Sequence, residues 1–350
     1  MTRTGGRRRT VLLTGASGVV GQAVLAEAPG HPVRVISMAR PGGTAVPDTA
    51  GQVVGADLAE PRFGLDDESY RALASDVDTV IHSAGLTEWG LPDERYEPVN
   101  VDGTRRVIEF AELSGATVHF MSTAFVAALF ANAPYRLSDT NVTTNYVRSK
   151  LRSEQLLRDS GVPHTVFRPT NLIGDSLTGW TSRGQIVQLM SDWICRGRAP
   201  FVPVHEGNRI DIVPQDLLAK AVLKAVELGD DSGAFWVTYG DEAMDMESTI
   251  AVCAKHAANL GRPLPPLPVI DPDGLDPEEL RRLPPLARSY LSVLRDVSEV
   301  TRCSGGVLPT SMPELRERYG IPYVQDSDAY LRTLEYASDN LGQRAGKDAA

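Results

Sequence analysis

Cysteine is scarce in this 350-residue chain. The three present, Cys195, Cys253 and Cys303, are odd in number and widely separated. That excludes a disulfide framework and a C-x-x-C zinc site, and it suits a reducing, cytoplasmic setting. Histidine is nearly as sparse. The six residues form no H-x-x-x-H pair, so no metal site is expected and each imidazole reads as a packing or surface group. Basic charge is outweighed, with 35 Lys and Arg against 45 Asp and Glu and a net charge of −10. A nucleic-acid partner needs a basic stripe and is excluded. Long apolar runs are missing as well. The stretch Val118–Ala131 is broken by Ser122 and Thr123 and is too short to span a bilayer. The basic opening Met1–Thr10, with Arg3, Arg7, Arg8 and Arg9, leads into only Val11-Leu12-Leu13. That run is too short for a signal peptide, so the opening reads as a solvated tail and no membrane anchor is expected.

What is present is a rhythm. Short β-rich runs fall at Thr10–Thr14, Val33–Ala39, Gln52–Ala56, Thr79–Ser83, Thr117–Ser122 and Thr165–Arg168. Helical patterns lie between them near Gly18–Glu27, Ser69–Ala74, Asn100–Leu113 and Asn145–Arg158. This alternation predicts an α/β fold, a Rossmann-type doubly wound parallel sheet with ligands bound outside the carboxyl ends of its strands. The length favours two lobes sharing one cleft. Residues 1–174, with 212–240 returning to them, form the expected cofactor domain. Residues 175–211 and 241–340 form a smaller, mainly helical substrate lobe. Helices are expected at Gly184–Cys195, Pro214–Leu228, Ser248–Leu260, Leu286–Ser298 and Asp326–Asn340. The proline-rich stretch Arg262–Pro285 resists regular structure and reads as a linker or a lid. The tail Gly342–Ala350 reads as disordered.

The first run ends in Thr14-Gly15-Ala16-Ser17-Gly18-Val19-Val20-Gly21, a G-x-x-G-x-x-G pattern between a strand and a helix. Gly15 permits the tight turn, Gly18 lets backbone amides approach a pyrophosphate, and Gly21 lets the helix pack on the sheet. Gly15, Ser17, Gly18, Val19, Val20 and Gly21 are therefore candidate pyrophosphate contacts, aided by the helix dipole. A carboxylate at the end of the second strand would grip the ribose 2′-hydroxyl of NAD. None stands there; Arg40 does, and it suits a 2′-phosphate, so NADP(H) is favoured over NAD(H).

Tyr146-Val147-Arg148-Ser149-Lys150 places Tyr146 and Lys150 four residues apart, on one helix face. An ammonium there is expected to lower the phenol pKa, making Tyr146 a general acid, while Lys150 also holds the nicotinamide ribose. Ser122 and Thr123, at the end of the fifth strand, are both candidates to hold a substrate carbonyl. As neighbours on a strand they point to opposite faces.

The chain resembles an extended short-chain dehydrogenase/reductase. The segments that carry the resemblance are TGASGVVGQ (14–22), ADL (56–58), HSAG (82–85), NVDGT (100–104), STA (122–124), YVRSK (146–150) and RPTNLIG (168–174), in the family's order. The resemblance implies a Thr123–Tyr146–Lys150 triad. It also implies Asp57 and Leu58 against adenine, Ser83, Ala84 and Gly85 along the cofactor groove, Asn100 supporting the active-site helix, and Pro169, Thr170 and Asn171 near the nicotinamide. Residues 56–73, STAFV (122–126), 168–180 and 197–222 further resemble the thioester-reductase and fatty-acyl-reductase branch. That branch implies hydride transfer from NADPH to an acyl thioester, giving an aldehyde or an alcohol, or to a free aldehyde or ketone. The 350 residues are too few to hold an adenylation or carrier domain as well, so a carrier protein or coenzyme A would deliver the acyl group in trans. Two other readings share the fold: a sugar-nucleotide epimerase or dehydratase with tightly bound NAD, and a non-catalytic NADP-sensing regulator. Either a monomer or a homodimer fits the resemblance.

Overall fold

The computed structural model describes residues 8–44, 46–47 and 51–347. Eleven strands and twelve α-helices are found among them, in the order β1 (Arg9–Thr14), α1 (Val19–Glu27), β2 (Val33–Ala39), β3 (Gln52–Gly55), α2 (Asp67–Asp76), β4 (Thr79–His82), α3 (Asp93–Tyr96), α4 (Asp102–Ser114), β5 (Thr117–Met121), α5 (Thr144–Ser160), β6 (His164–Pro169), β7 (Asn171–Ile173), α6 (Ile186–Cys195), β8 (Val202–Pro203), β9 (Ile212–Pro214), α7 (Gln215–Leu228), β10 (Ala234–Val237), α8 (Met246–Asn259), β11 (Val269–Ile270), α9 (Pro277–Arg282), α10 (Pro285–Cys303), α11 (Met312–Tyr319) and α12 (Asp326–Lys347). Seven strands form one parallel sheet in the order β10-β6-β5-β4-β1-β2-β3. The fold is the doubly wound Rossmann type. The chain runs outward from β1 to β3, then restarts at β4 on the other side of β1. That reversal opens a crevice above the carboxyl ends of β1 and β4.

β1 shows why the strands form. Val11, Leu12 and Leu13 have no exposed surface. Val11 and Leu13 pack into one core layer, with α1, α7 and α11, and Leu12 packs into the other, with α2 and α4. A strand covered on both faces reads as a continuous apolar run. The turns that follow α4 and α5 rest on Gly115 and Gly161, both left-handed.

Six sheet strands were legible; the seventh, β10, is four residues long and pairs in parallel with β6 at the sheet edge. Arg3 and Arg7 lie outside the described residues. Arg8 and Arg9 are no solvated tail: Arg9 opens β1, and Arg8 Nε donates to the Val33 carbonyl at 2.8 Å. The helix expected from Asn100 begins at Asp102, because residues 97–101 form a π-turn. The proline-rich stretch is neither free linker nor lid. It forms β11, paired with β8, and then α9, and Leu264, Leu267 and Val269 pack on the lobe core. The tail is helical through Lys347, and residues 348–350 lie outside the described set. No described helix is long and apolar enough to cross a membrane.

Candidate active site

A cleft of about 730 Å³ crosses the carboxyl ends of the central strands. Its walls include Gly15, Ser17, Gly18, Val19, Val20, Gly21, Arg40, Asp57, Leu58, Ser83, Ala84, Gly85, Thr123, Tyr146, Lys150, Pro169, Thr170 and Asn171. Every candidate residue but one therefore meets in one groove. The exception is Asn100, which stands behind the wall.

The glycine turn is shaped for a ligand's phosphates. Gly15 has φ +73°, and a Cβ there would lie 2.6 Å from the Ala84 nitrogen; one on Gly21 would lie 2.2 Å from the Gly15 oxygen. Only glycine fits both places. The N-terminus of α1 has no side-chain cap, so its first amides face the groove as anion donors. Thr14 ties β1 to β4: its hydroxyl meets His82 Nδ1 at 2.8 Å and accepts from the Ala84 amide at 3.1 Å. His82 is fully buried, and desolvation drives its pKa down to about 3, so this imidazole is a neutral girder rather than a proton carrier.

At the far end, α5 carries Tyr146 and Lys150, both buried. Lys150 Nζ donates to the Met121 carbonyl at 2.8 Å and sits 5.0 Å from the centre of the Phe120 ring. Burial lowers its pKa to about 8, against a smaller opposing pull from Glu154. Tyr146 is raised well above the usual phenol value by burial, partly offset by the nearby Thr123 hydroxyl. The depression expected from Lys150 is not what this geometry gives, because the ammonium is turned to the Met121 carbonyl. A protonated phenol beside a threonine hydroxyl is nonetheless a pair of donors for a developing oxyanion.

Asn100 holds this arrangement from behind. Its Oδ1 accepts from the Leu86 amide at 2.7 Å, and its Nδ2 donates to the Leu86 carbonyl and to Ser149 Oγ at 3.0 and 2.9 Å. Ser149 in turn donates to the Tyr146 carbonyl at 2.7 Å. A Cβ on Gly85 would stand 3.2 Å from Lys150 Nζ and 3.3 Å from Asn100 Oδ1, so a side chain there would press on both groups.

The two strand-end hydroxyls both line the cleft but have different partners. Ser122 Oγ donates to Glu154 Oε1 at 2.5 Å, inside a buried pair in which Arg168 reaches both Glu154 oxygens at 3.0 and 2.6 Å. Arg168 also stacks on Trp236, 4.4 Å from its ring centre. Thr123 is left facing Tyr146. Glu154 and Arg168 were not singled out in the sequence; the one available signal was that Glu154 continues the Tyr146–Lys150 face by another four residues.

The seven-stranded parallel sheet, the glycine turn and the helical C-terminal part make up the extended short-chain dehydrogenase/reductase fold. Residues 51–222 match the NAD-binding family described as male sterility protein. It is 30% identical over 240 residues to the hybrid PKS-NRPS synthetase pvhA of Talaromyces variabilis, covering 64% of this chain and 6% of that protein. It is 27% identical over 196 residues to the L-2-aminoadipate reductase large subunit of Penicillium chrysogenum, covering 49% of this chain and 14% of that protein. The chain thus spans only a small part of these relatives. Among solved structures, the terminal R domain of the myxalamid PKS-NRPS pathway superposes with a TM-score of 0.69 at 21% identity, covering 94% of this chain and 90% of that one. The Bordetella bronchiseptica enzyme WbmG, in complex with NAD and UDP, superposes with a TM-score of 0.65 at 17% identity, covering 97% of each.

Proposed function

We propose that this chain is an NADPH-dependent reductase of acyl thioesters carried on a carrier protein or coenzyme A. The observation that supports it most is the Thr123–Tyr146 donor pair at the end of a dinucleotide-shaped groove, in a chain whose relatives bear reductase names. Bound NADPH supplies a hydride to the thioester carbonyl carbon. Thr123 and Tyr146 hold the carbonyl oxygen, and their hydrogen bonds strengthen as it becomes an oxyanion. The raised pKa of Tyr146 keeps its proton in place for transfer to that oxygen. Lys150 binds the nicotinamide ribose, and Asn100 fixes the helix that carries both side chains. The hemithioacetal then releases the thiol and leaves an aldehyde. A second hydride would give an alcohol, and the same side chains serve a free aldehyde or ketone. Arg40 would select NADPH through its 2′-phosphate, and residues 15–21 would hold the cofactor's phosphates.

The test is to mix the purified protein with NADPH and a panel of acyl-CoA and acyl-pantetheine thioesters, aldehydes and UDP-sugars. The expected result is loss of nicotinamide absorbance with thioesters, matched by released thiol and trapped aldehyde. Tyr146→Phe should lower kcat by on the order of 10²-fold or more. No oxidation with any thioester or carbonyl overturns the proposal, and NAD released only on denaturation would favour an epimerase.

A further inference from the structure

Cys195 and Cys253 stand 58 residues apart in the chain and meet in the core of the helical lobe. Cys195 is the last residue of α6, and Cys253 lies in the middle of α8. The Cys195 thiol donates to the Cys253 carbonyl at 3.7 Å. Cys253 Sγ meets the Tyr330 hydroxyl at 3.2 Å, and the same hydroxyl meets Ser191 Oγ at 2.5 Å. Ser191 and Cys195 are four residues apart and share one face of α6. Tyr330 thus already bridges α6 to α8, and the two cysteines lie one turn further along the same contact. Ser191 and Tyr330 also line a lobe cavity of about 90 Å³, walled by α6, α10 and the segment before β9.

The two thiols are not equivalent. Cys195 is partly exposed, whereas Cys253 is fully buried. The neighbouring Cys253 thiol, and then burial, push the Cys195 thiol up, while Cys195 in turn brings the Cys253 thiol down. The carboxyl end of α6 opposes a negative charge on Cys195 as well. Cys195 is therefore the sulfur that a solute meets first, and Cys253 is the better nucleophile behind it. Cys195 also has room to adjust, because the chain turns just beyond it on Gly197, with φ +64°. Cys303 is buried in a different core cluster.

We propose that Cys195 and Cys253 are a site of reversible oxidation, at which hydrogen peroxide drives closure of a disulfide that ties the end of α6 to the middle of α8. In the first step the Cys195 sulfur takes one peroxide oxygen and the O–O bond breaks. The thiol proton leaves with the other oxygen as water, and Cys195 becomes a sulfenic acid. In the second step the Cys253 sulfur attacks the Cys195 sulfur and the S–O bond breaks. The hydroxide leaves with the Cys253 proton as a second water. The two thiols lose two electrons in all, and one peroxide is reduced to two waters. A thiol that holds its proton reacts slowly, so the pair answers sustained rather than brief oxidant. α6 also walls the cleft through Ile186 and Val187, so the bridge fixes an element of the active-site cleft.

The experiment incubates the full chain with hydrogen peroxide, unfolds it in an alkylating reagent, and maps the cysteines by peptide mass spectrometry. We expect a Cys195–Cys253 crosslink, two hydrogens lighter than the separate peptides, with Cys303 alkylated. A bridge closing a loop of this length constrains the unfolded chain, so the melting temperature should rise by roughly 5–10 °C and return on adding dithiothreitol. Cys253→Ala should stop the reaction at a sulfenic acid on Cys195, which dimedone traps. Cys195→Ser should leave Cys253 a free thiol. Should either variant misfold, the wild-type map and the melting shift still decide the matter. Both thiols open to alkylation after prolonged peroxide, or a bridge made through Cys303, overturns the pair. So does sulfinic acid on Cys195 while Cys253 stays reduced. A bridge without a rise in melting temperature overturns the tie between the helices. None of these readouts uses NADPH or an acyl substrate, so they stand apart from the test of the reductase reading.

Discussion

Ser122 and Thr123 are neighbours at the end of β5, yet they serve opposite sides of the active site. Ser122 Oγ donates to Glu154, whereas Thr123 lines the cleft beside Tyr146 and its hydroxyl accepts from the Phe125 amide at 3.3 Å. The two hydroxyls should therefore respond differently to removal. Thr123→Val keeps the shape and deletes one oxyanion donor, so kcat should fall on the order of 10²–10³-fold with stability little changed. Ser122→Ala leaves Glu154 still held by Arg168 and should cost about 1 kcal/mol of stability with kcat near wild type. Steady-state rates and denaturant melts on both variants check this, and a large rate loss in Ser122→Ala with none in Thr123→Val would reverse the assignment.

Glu154 and Arg168 form the buried ion pair beneath that strand end; Glu154 is 1% exposed. Glu154→Gln keeps the volume but leaves Arg168 without its counter-charge. Removing one member of a buried pair costs about 3–5 kcal/mol. The urea midpoint should drop accordingly, and Glu154→Gln with Arg168→Met should recover part of the loss. A double variant no better than the single would mean that Arg168 is held mainly by its stacking on Trp236.

Much of the cofactor half is legible in the sequence because its physics is local. The glycine turn needs glycine at positions 15 and 21, the strands are continuous apolar runs because both faces are covered, and a four-residue spacing on a helix puts Tyr146 above Lys150. What stays hidden depends on distant parts of the chain. β10 is too short to stand out and becomes a strand only by pairing with β6. Glu154 meets Arg168 only once α5 lies against β6. The lobe cavity is walled by α6, α10 and the segment before β9, far apart in sequence. The direction of the Tyr146 pKa was misread for the same reason: spacing predicts that Lys150 is near, but burial and the Met121 carbonyl decide what the ammonium does.

Arg40 lines the groove at the end of β2 and has no ion pair among the described residues. A charge-assisted bond to a 2′-phosphate is worth about 1.5–3 kcal/mol, which is ~10–100-fold. Arg40→Ala should lower kcat/KM for NADPH by that factor and leave NADH within about twofold. Equal losses with both cofactors would remove Arg40 from 2′-phosphate recognition.

His119 lies in the core of β5, 1% exposed, and its Nδ1 has no hydrogen-bond partner among the described residues. Burial lowers its pKa to about 4. The unfolded chain takes up a proton near the ordinary value of ~6.5 while the folded chain does not. Stability from this residue is therefore full above that value and is lost as pH falls from about 6.5 to about 4. The slope is at most about 1.4 kcal/mol per pH unit, and His82 adds a second slope of the same sign. His119→Phe should remove its own share of the slope, alongside those of His82, His205 and His256, and leave stability at pH 7 unchanged or higher. Urea melts at several pH values between 4 and 7 read this directly, and an unchanged slope would show that His119 is protonated or solvated in the folded chain.

Lys150 gives the sharpest kinetic test, because its pKa of about 8 falls within the working range. The cofactor-free enzyme carries an ammonium below that pH and a neutral amine above it. Only the ammonium would bring charge to the proposed ribose contact, and kcat/KM for NADPH reports the free enzyme. The profile should be level on the acid side and fall through about 8, approaching tenfold per pH unit. Tyr146 keeps its proton throughout this window, since its pKa is displaced upward, so it cannot supply the falling limb. Lys150→Met should abolish the limb along with most of the rate. Lys150→Arg, which stays charged, should keep whatever activity its bulk permits and lose the limb as well. A limb near 8 that survives in either variant would belong to another group, and the role given to Lys150 would have to be withdrawn.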